Sequence, residues 1–79
     1  MEVLRSAFRH GVATEDTLHA VHNAIIIEEI AEDPPRLVLG ADQAGNLLEL
    51  VVLDRPQGPA VIHAMPMTAQ YRNLLPEGW

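Results

Sequence analysis

The hydrophobic positions of this chain follow a helical period in its first part and a strand period afterwards. Residues 2–9 place apolar side chains at i, i+1, i+4 and i+5, which predicts a short helix that ends at Gly11. Residues 15–23 repeat apolar positions at i, i+3, i+4 and i+7, and Thr14 is a suitable N-cap. The pattern therefore predicts two N-terminal helices, the second with its core face on Leu18, Val21, His22 and Ile25.

The strand period begins with three consecutive isoleucines. β-Branched residues favour strands, so residues 24–30 are predicted as the first strand and residues 36–41 as the second. An Asp and a Gly in residues 42–45 predict a hairpin turn before the third strand, residues 46–54. Apolar side chains on both faces of that strand predict a central position. Residues 60–65 are the fourth predicted strand.

The order of these elements sets the fold class. Residues 67–75 follow Pro66, which ends the last strand, and they predict a short C-terminal helix with Thr68 as its N-cap. The sequence thus predicts a single α+β domain over residues 1–79. We expect two N-terminal helices, a four-stranded mostly antiparallel sheet and a short C-terminal helix, with the helices packed across one face.

Composition and charge exclude several kinds of functional site. The chain has 79 residues and no cysteine, which excludes a disulfide framework, thiolate zinc sites and a cysteine nucleophile. Eleven carboxylates against five arginines give a formal charge of −6, which argues against a generic polyanion binder. Without a signal peptide or a long apolar run, the chain is expected to be soluble and cytoplasmic, with no membrane contact.

Three stretches of the chain resemble, in order, those of one protein family. Residues 9–12 read RHGV, followed by an acidic helix start, and resemble the lysine-histidine-glycine opening of BrnT-type toxins, small members of the RelE-like superfamily. Residues 37–52 are similar to that family's central hairpin. Residues 61–65, with Thr68 and Arg72, resemble its last strand and C-terminal segment, although this chain has Met65 where the family usually carries arginine.

The resemblance implies a function for the whole chain. BrnT-type toxins are ribonucleases that inhibit translation and are neutralised by a small DNA-binding antitoxin, often of the ribbon-helix-helix type. By this resemblance the chain is expected to cleave RNA, to bind such an antitoxin and to need no metal or other cofactor. The alternative is a non-catalytic protein-binding module on the same scaffold, for which a homodimer is one form.

Cleavage of RNA without a metal needs a general base, a general acid and a group that stabilises phosphate charge. The candidate catalytic residues are His63, Tyr71, Arg72 and His10. The candidate contacts to RNA phosphate are Arg9 and Arg36. Each has a structural alternative: a histidine with one structural hydrogen bond, a packed tyrosine, a solvated arginine, or a histidine at a helix C-terminus.

Other polar residues leave more than one interpretation open. Glu49 lies in an apolar strand, where it either faces solvent at the sheet surface or pairs with Arg36 on the neighbouring strand; its sharper interpretation is a general base. His19 and His22 have a spacing that metal sites use, but His22 falls on the apolar stripe and is better interpreted as a core histidine. The acidic residues 28–33 form either a solvated strand end or a surface for a basic antitoxin segment.

Overall fold

A computed structural model describes residues 1–29 and 35–79, in which five strands form one mixed sheet in the order β1-β5-β4-β3-β2. The strands are β1 Glu2–Val3, β2 Ala24–Glu29, β3 Arg36–Ala41, β4 Leu47–Leu53 and β5 Ala60–Pro66. One α-helix, α1, spans Thr14–His22, and 3₁₀ helices span Arg5–Phe8 and Ala69–Leu74. The class is α+β, but the predicted arrangement of two N-terminal helices and a four-stranded, mostly antiparallel sheet is wrong.

The N-terminal segment accounts for much of that error. Instead of one helix over residues 2–9, it forms β1, which pairs in parallel with β5, followed by a single 3₁₀ turn. Eight residues make a weak helix alone, whereas pairing of Glu2 with Ala60 and of Val3 with Val61 adds a strand beside β5. Gly11 still takes the expected left-handed conformation, at φ 76°, and its N–H donates to the carbonyl of Phe8.

The C-terminal segment also differs from its prediction. No α-helix forms over residues 67–75, because the first residues of this segment form hydrogen bonds with β4. The N–H of Met67 donates to the carbonyl of Leu47, which extends the β4–β5 ladder, and the N–H of Thr68 donates to Glu49. Only the six residues Ala69–Leu74 remain, and they form a 3₁₀ helix.

The second predicted helix is confirmed as α1, but a different stripe of it is buried. Ala20 and Thr17 are fully buried, whereas Leu18 and Val21 are half-buried and His22 is exposed. The reason is Gly40 on β3, which has no side chain and lets the α1 backbone at Ala20 approach the sheet closely. His22 is therefore not a core histidine.

The predicted strands and hairpin are confirmed within the described residues. β4 is the middle strand of the five, and the turn over residues 42–45 closes with the N–H of Gly45 donating to the carbonyl of Asp42. The alternating residues Leu48, Leu50 and Val52 face α1 and join the main core cluster. Glu49 and Val51 point to the other face, where Glu49 meets Thr68.

The predicted first strand is confirmed as β2, except that Ile30 lies outside the described residues. β2 pairs only with β3 and forms one edge of the sheet. Within residues 1–29 and 35–79, no helix combines the length and the apolar character needed to cross a bilayer.

Candidate functional site

Two polar side chains meet where β4 and β5 run side by side. Glu49 lies in the middle of β4 with 6% of its side chain exposed, and His63 lies in β5 with 31% exposed. The Nε2 atom of His63 is 3.2 Å from Oε2 of Glu49. A nearly buried carboxylate therefore holds an imidazole that remains accessible to solvent.

A β-bulge brings these two residues to the same face. The register is Val52 opposite Val61, but one position further it is Val51 opposite His63, so that Ile62 is the extra residue. In a regular ladder, with Ile62 paired opposite Val51, His63 would lie opposite Leu50 and point toward α1 into the core. The bulge thus places His63 diagonally across from Glu49.

Hydrogen bonds from the first 3₁₀ helix and from the residue before it stabilise the bulge. The hydroxyl of Ser6 donates to the carbonyl of Ile62 at 2.6 Å, and the N–H of Leu4 donates to the carbonyl of Val61 at 2.9 Å. An extra residue interrupts the regular ladder, and the serine gives its carbonyl a hydrogen-bond partner. The N-terminal segment therefore stabilises the geometry on which the His63 position depends.

Glu49 has partners for both of its carboxylate oxygens. Oε1 accepts from the N–H of Thr68 at 2.8 Å and from the Thr68 hydroxyl at 2.7 Å, while Oε2 contacts His63. Burial raises the pKa of Glu49, but the two Thr68 hydrogen bonds and the His63 ring outweigh it and lower the pKa below its ordinary value. Glu49 is therefore an ionised carboxylate at neutral pH.

The ionised carboxylate decides which nitrogen of His63 carries the proton. A carboxylate without a proton only accepts hydrogen bonds, so Nε2 of His63 must be the donor. In the neutral ring the lone pair then lies on Nδ1, which is the nitrogen free to take a proton from a substrate. Glu49 acts as an orienting group for His63, as a carboxylate does in a catalytic triad.

A second histidine packs against the first. The rings of His10 and His63 have centroids 5.7 Å apart and meet edge to face at 75°. His10 is exposed and also lines an open cleft of about 490 Å³. The cleft lies between the segment before α1, the turn at residues 42–46 and the end of β5. His10 lines this cleft and also contacts the His63 ring, so it connects the concave surface to the Glu49–His63 pair.

The cleft itself is acidic. Asp16 accepts a hydrogen bond from the N–H of Gln43, and Asp42 accepts from the backbone N–H groups of Ala44 and Asn46. Hydrogen bonds from Asn46, with smaller contributions from Ala44 and Gly45, outweigh desolvation and lower the pKa of Asp42. Both carboxylates brace the turn over α1, and their charge disfavours a phosphate inside the cleft.

The arginines divide into two groups. Arg36 forms an ion pair with Asp54 at 2.8 Å, and Arg55 forms one with Glu2 at 2.8 Å. The other three form no ion pair with the described residues and are exposed: Arg5, Arg9 and Arg72. Arg5 lies in the first 3₁₀ helix, Arg9 directly precedes His10, and Arg72 lies in the second 3₁₀ helix. In the sequence, the first two therefore precede His10 and the third follows His63.

Among the predicted site residues, the structure brings together only His63 and His10. Tyr71 is half-buried in the second 3₁₀ helix, where its N–H donates to the carbonyl of Thr68. No hydrogen bond or ion pair joins its side chain, or that of Arg72, to the rest of the described chain. Their roles, like those of His63 and His10, stay predictions.

The predicted pairing of Glu49 with Arg36 is wrong. Glu49 lies opposite Leu39, whereas Arg36 lies opposite Val52, on the face that carries α1. The two side chains therefore point to opposite faces of the sheet. This position also separates Arg36 from the His63 face, and its predicted contact with RNA phosphate stays a prediction.

Sequence reasoning missed Thr68 and the link between Glu49 and His63. Thr68 was expected to cap a helix, but its side chain makes no such bond and instead holds Glu49. A regular pairing of β4 with β5, continued from the turn between them, would place Glu49 and His63 on opposite faces of the sheet. They are neighbours only because the bulge at Ile62 shifts the register by one residue. A buried carboxylate in an apolar strand was the available signal, since such a group requires partners.

The histidines of α1 lie away from this site. His19 places Nδ1 2.9 Å from the carbonyl of Ala41, which makes it a structural contact between α1 and β3. Within the described residues, no group of three or more histidine or carboxylate side chains has the arrangement of a metal site. Comparisons with family models, curated proteins and solved structures found no match, so the function is argued from the site itself.

Proposed function

We propose that the protein is a metal-independent endoribonuclease, the toxin of a toxin–antitoxin pair, with His63 and His10 as its proton-transfer residues. The observation that carries this proposal is the Glu49–His63–His10 arrangement. A buried carboxylate fixes one accessible imidazole at 3.2 Å, and a second imidazole packs 5.7 Å away. The resemblance to BrnT-type toxins over residues 9–12 and 61–65 supports the same proposal, since these stretches supply the two histidines.

Two neighbouring histidines fit the chemistry of RNA cleavage. Nδ1 of His63 takes the proton from the ribose 2′-hydroxyl, and the 2′-oxygen forms a bond to phosphorus. The bond from phosphorus to the 5′-oxygen breaks, and protonated His10 gives its proton to that leaving oxygen. The products are a 2′,3′-cyclic phosphate and a free 5′-hydroxyl, and no metal or external reactant takes part.

The charges around the site support one orientation of the RNA. Arg9 directly precedes His10 and Arg72 follows Thr68 by four residues, and both side chains are exposed and without an ion pair to the described residues. Guanidinium groups stabilise phosphate charge in the transition state. The acidic cleft favours an uncharged part of the RNA. A nucleoside therefore occupies the cleft, and the phosphate contacts Arg9 and Arg72 outside it.

The proposal predicts a dependence on the ribose hydroxyl. The wild-type protein should cleave a single-stranded ribo-oligonucleotide in the presence of EDTA and leave a 2′,3′-cyclic phosphate. It should not cut the same oligonucleotide with 2′-deoxyribose at the cleavage position. Cleavage that needs an added metal, or that persists on the deoxy substrate, would contradict the mechanism.

Variants separate the site from the other histidines. His10→Ala should slow cleavage at least about a hundredfold, since one proton-transfer role contributes about 10²–10⁴-fold. His22→Ala is the matched control, because His22 is also exposed but lies on α1 away from the site. Equal cleavage rates for His10→Ala and His22→Ala would show that His10 transfers no proton in the reaction. A wild-type protein that binds a neighbour-encoded antitoxin but cuts no RNA would favour the binding-module alternative.

A further inference from the structure

The segment that leads into His10 has a charge opposite to that of the whole chain. Residues 5–10 read RSAFRH and contain two arginines and no carboxylate, although the formal charge of the chain is −6. Phe8 lies between these arginines and is 43% exposed. An exposed aromatic ring among cations is typical of surfaces that bind single-stranded nucleic acid, because the ring stacks on bases and the cations contact phosphates.

The 3₁₀ geometry of the segment brings one cation and the ring to the same side. In a 3₁₀ helix the side chains at i and i+3 eclipse each other, so Arg5 and Phe8 share one side of the turn. Both residues are exposed, and Arg5 forms no ion pair with the described residues. This side of the turn therefore offers a contact for a phosphate and a contact for a base.

The same turn is anchored to the bulge that positions His63. Ala7 is fully buried in the main core cluster, and the hydroxyl of Ser6 donates to the carbonyl of Ile62 at 2.6 Å. Ile62 directly precedes His63 in β5. A turn that the fold already holds in place loses little conformational freedom when a ligand binds to its exposed side, which favours affinity.

Phe8 lies close to His10 but outside the cleft. The two residues are two positions apart, so their Cα atoms are within about 7 Å of each other. The N–H of Gly11 donates to the carbonyl of Phe8 at 3.1 Å. His10 and Gly11 line the cleft, whereas Phe8 is not part of its lining. A phosphate at His10 would therefore have a second surface for a nucleoside within reach, at the Phe8 ring.

We propose that Arg5 and Phe8 form a nucleotide subsite of the RNA-binding surface, separate from the cleft. The Phe8 ring stacks on the base next to the nucleoside in the cleft, and the Arg5 guanidinium contacts the phosphate of that nucleotide. Every base has a π face, so this subsite selects single-stranded RNA without selecting a sequence. The inference rests on the proposed cleavage of RNA for its substrate, but binding alone measures it.

The probe is a fluorescent single-stranded oligonucleotide with 2′-O-methylribose throughout, which lacks the hydroxyl needed for cleavage. Phe8→Ala should raise its Kd at least about fivefold, the loss expected for one base–aromatic stack. Phe8→Trp should retain the affinity, whereas Phe8→Leu should lose it, because leucine is apolar but has no π face. Trp79→Ala is the matched control, since Trp79 is also exposed and lies outside the turn. Equal losses in Phe8→Ala and Trp79→Ala would overturn the subsite.

A second probe removes the bases instead of the ring. An abasic oligonucleotide of the same length and charge should bind the wild-type protein more weakly than the first probe. Phe8→Ala should weaken binding of this abasic probe no further. If the variant weakens binding of both probes by the same factor, the ring does not stack on a base and the proposal fails.

Salt dependence tests the arginine. Arg5→Gln should reduce the slope of log Kd against log salt by about 0.7, because one contact to a phosphate of a single strand accounts for a slope of that size. Gln57→Glu lowers the net charge equally at an exposed position in the turn between β4 and β5, and should leave the slope unchanged. Equal changes in both variants would show a response to net charge alone and overturn the role of Arg5.

Cleavage of the unmodified ribo-oligonucleotide, measured in parallel, separates this inference from the proposed function. A wild-type protein that cleaves, with Phe8→Ala unchanged in binding and in rate, would overturn the subsite alone. A wild-type protein that binds the uncut probe through Phe8 but cleaves no RNA would support the subsite and refute the nuclease. If Phe8→Ala binds RNA normally but loses a neighbour-encoded antitoxin, the ring is a protein contact and the subsite is overturned.

Discussion

At the scale of single residues, the account depends on a carboxylate that folding keeps ionised. Thr68 and His63 lower the pKa of Glu49 below its ordinary value of 4.5 against the opposing effect of burial. A group whose pKa is lower in the folded state stabilises the fold above its unfolded pKa, and that stabilisation disappears as the pH falls through the folded value.

The variant Glu49→Gln tests this directly. It should lower the unfolding free energy by about 1–3 kcal/mol near neutral pH, because hydrogen bonds to a charged acceptor become bonds to a neutral amide. The gap between wild type and variant should be full above the ordinary pKa of a glutamate and should narrow progressively as the pH falls below it. Urea unfolding at each pH measures it, and Asp42, which also has a lowered pKa, is present in both proteins and cancels. A gap that does not change with pH would contradict the assignment.

At the scale of elements, the bulge in β5 determines which face His63 occupies. Ser6→Ala removes the hydroxyl bonded to Ile62 and should reduce stability by about 0.5–1.5 kcal/mol. It should also slow RNA cleavage, although Ser6 does not touch the imidazoles. Ser6→Thr, which keeps the hydroxyl, should restore both. A serine with no positioning role would change stability alone, so an unchanged kcat in Ser6→Ala would refute this link.

The packing of α1 on β3 gives a second element-scale prediction. A Cβ at Gly40 would collide with the backbone of Ala20, so Gly40→Ala should destabilise the protein by about 3 kcal/mol. Gly45→Ala is the comparison, because that position has open space and strain only from its φ of 89°. It should cost about 1 kcal/mol. Thermal unfolding of the two variants measures the difference, and equal losses would show that α1 adjusts to the added methyl.

Element scale is also where sequence reasoning succeeded and failed. The α1 helix and the strands β2 to β5 followed from local periodicity, β-branched runs and turn residues, although α1 buries Thr17 and Ala20 rather than its predicted stripe. The N-terminal segment was mistaken for a helix since Val3 gains more from pairing with Val61, a partner far along the chain. The same limit hid the contact between Glu49 and His63, which requires a bulge that local pattern does not reveal.

At the scale of the whole molecule, a net negative charge coexists with a few exposed arginines. The net charge of −6 masks three exposed arginines without ion pairs to the described residues, all in segments that precede or follow the His10–His63 pair. Exposed carboxylates lie at both edges of the sheet, on Glu2 of β1 and on Glu28 and Glu29 of β2. Cleavage should therefore slow as salt rises, because salt screens exposed arginines.

The central claim is that His63 transfers a proton in RNA cleavage. The most direct measurement is the single-turnover cleavage rate of wild type and His63→Ala on one ribo-oligonucleotide, with unfolding midpoints recorded for both. The account predicts a rate at least about a hundredfold lower in His63→Ala while the variant remains folded. A folded His63→Ala that cleaves at the wild-type rate would contradict it.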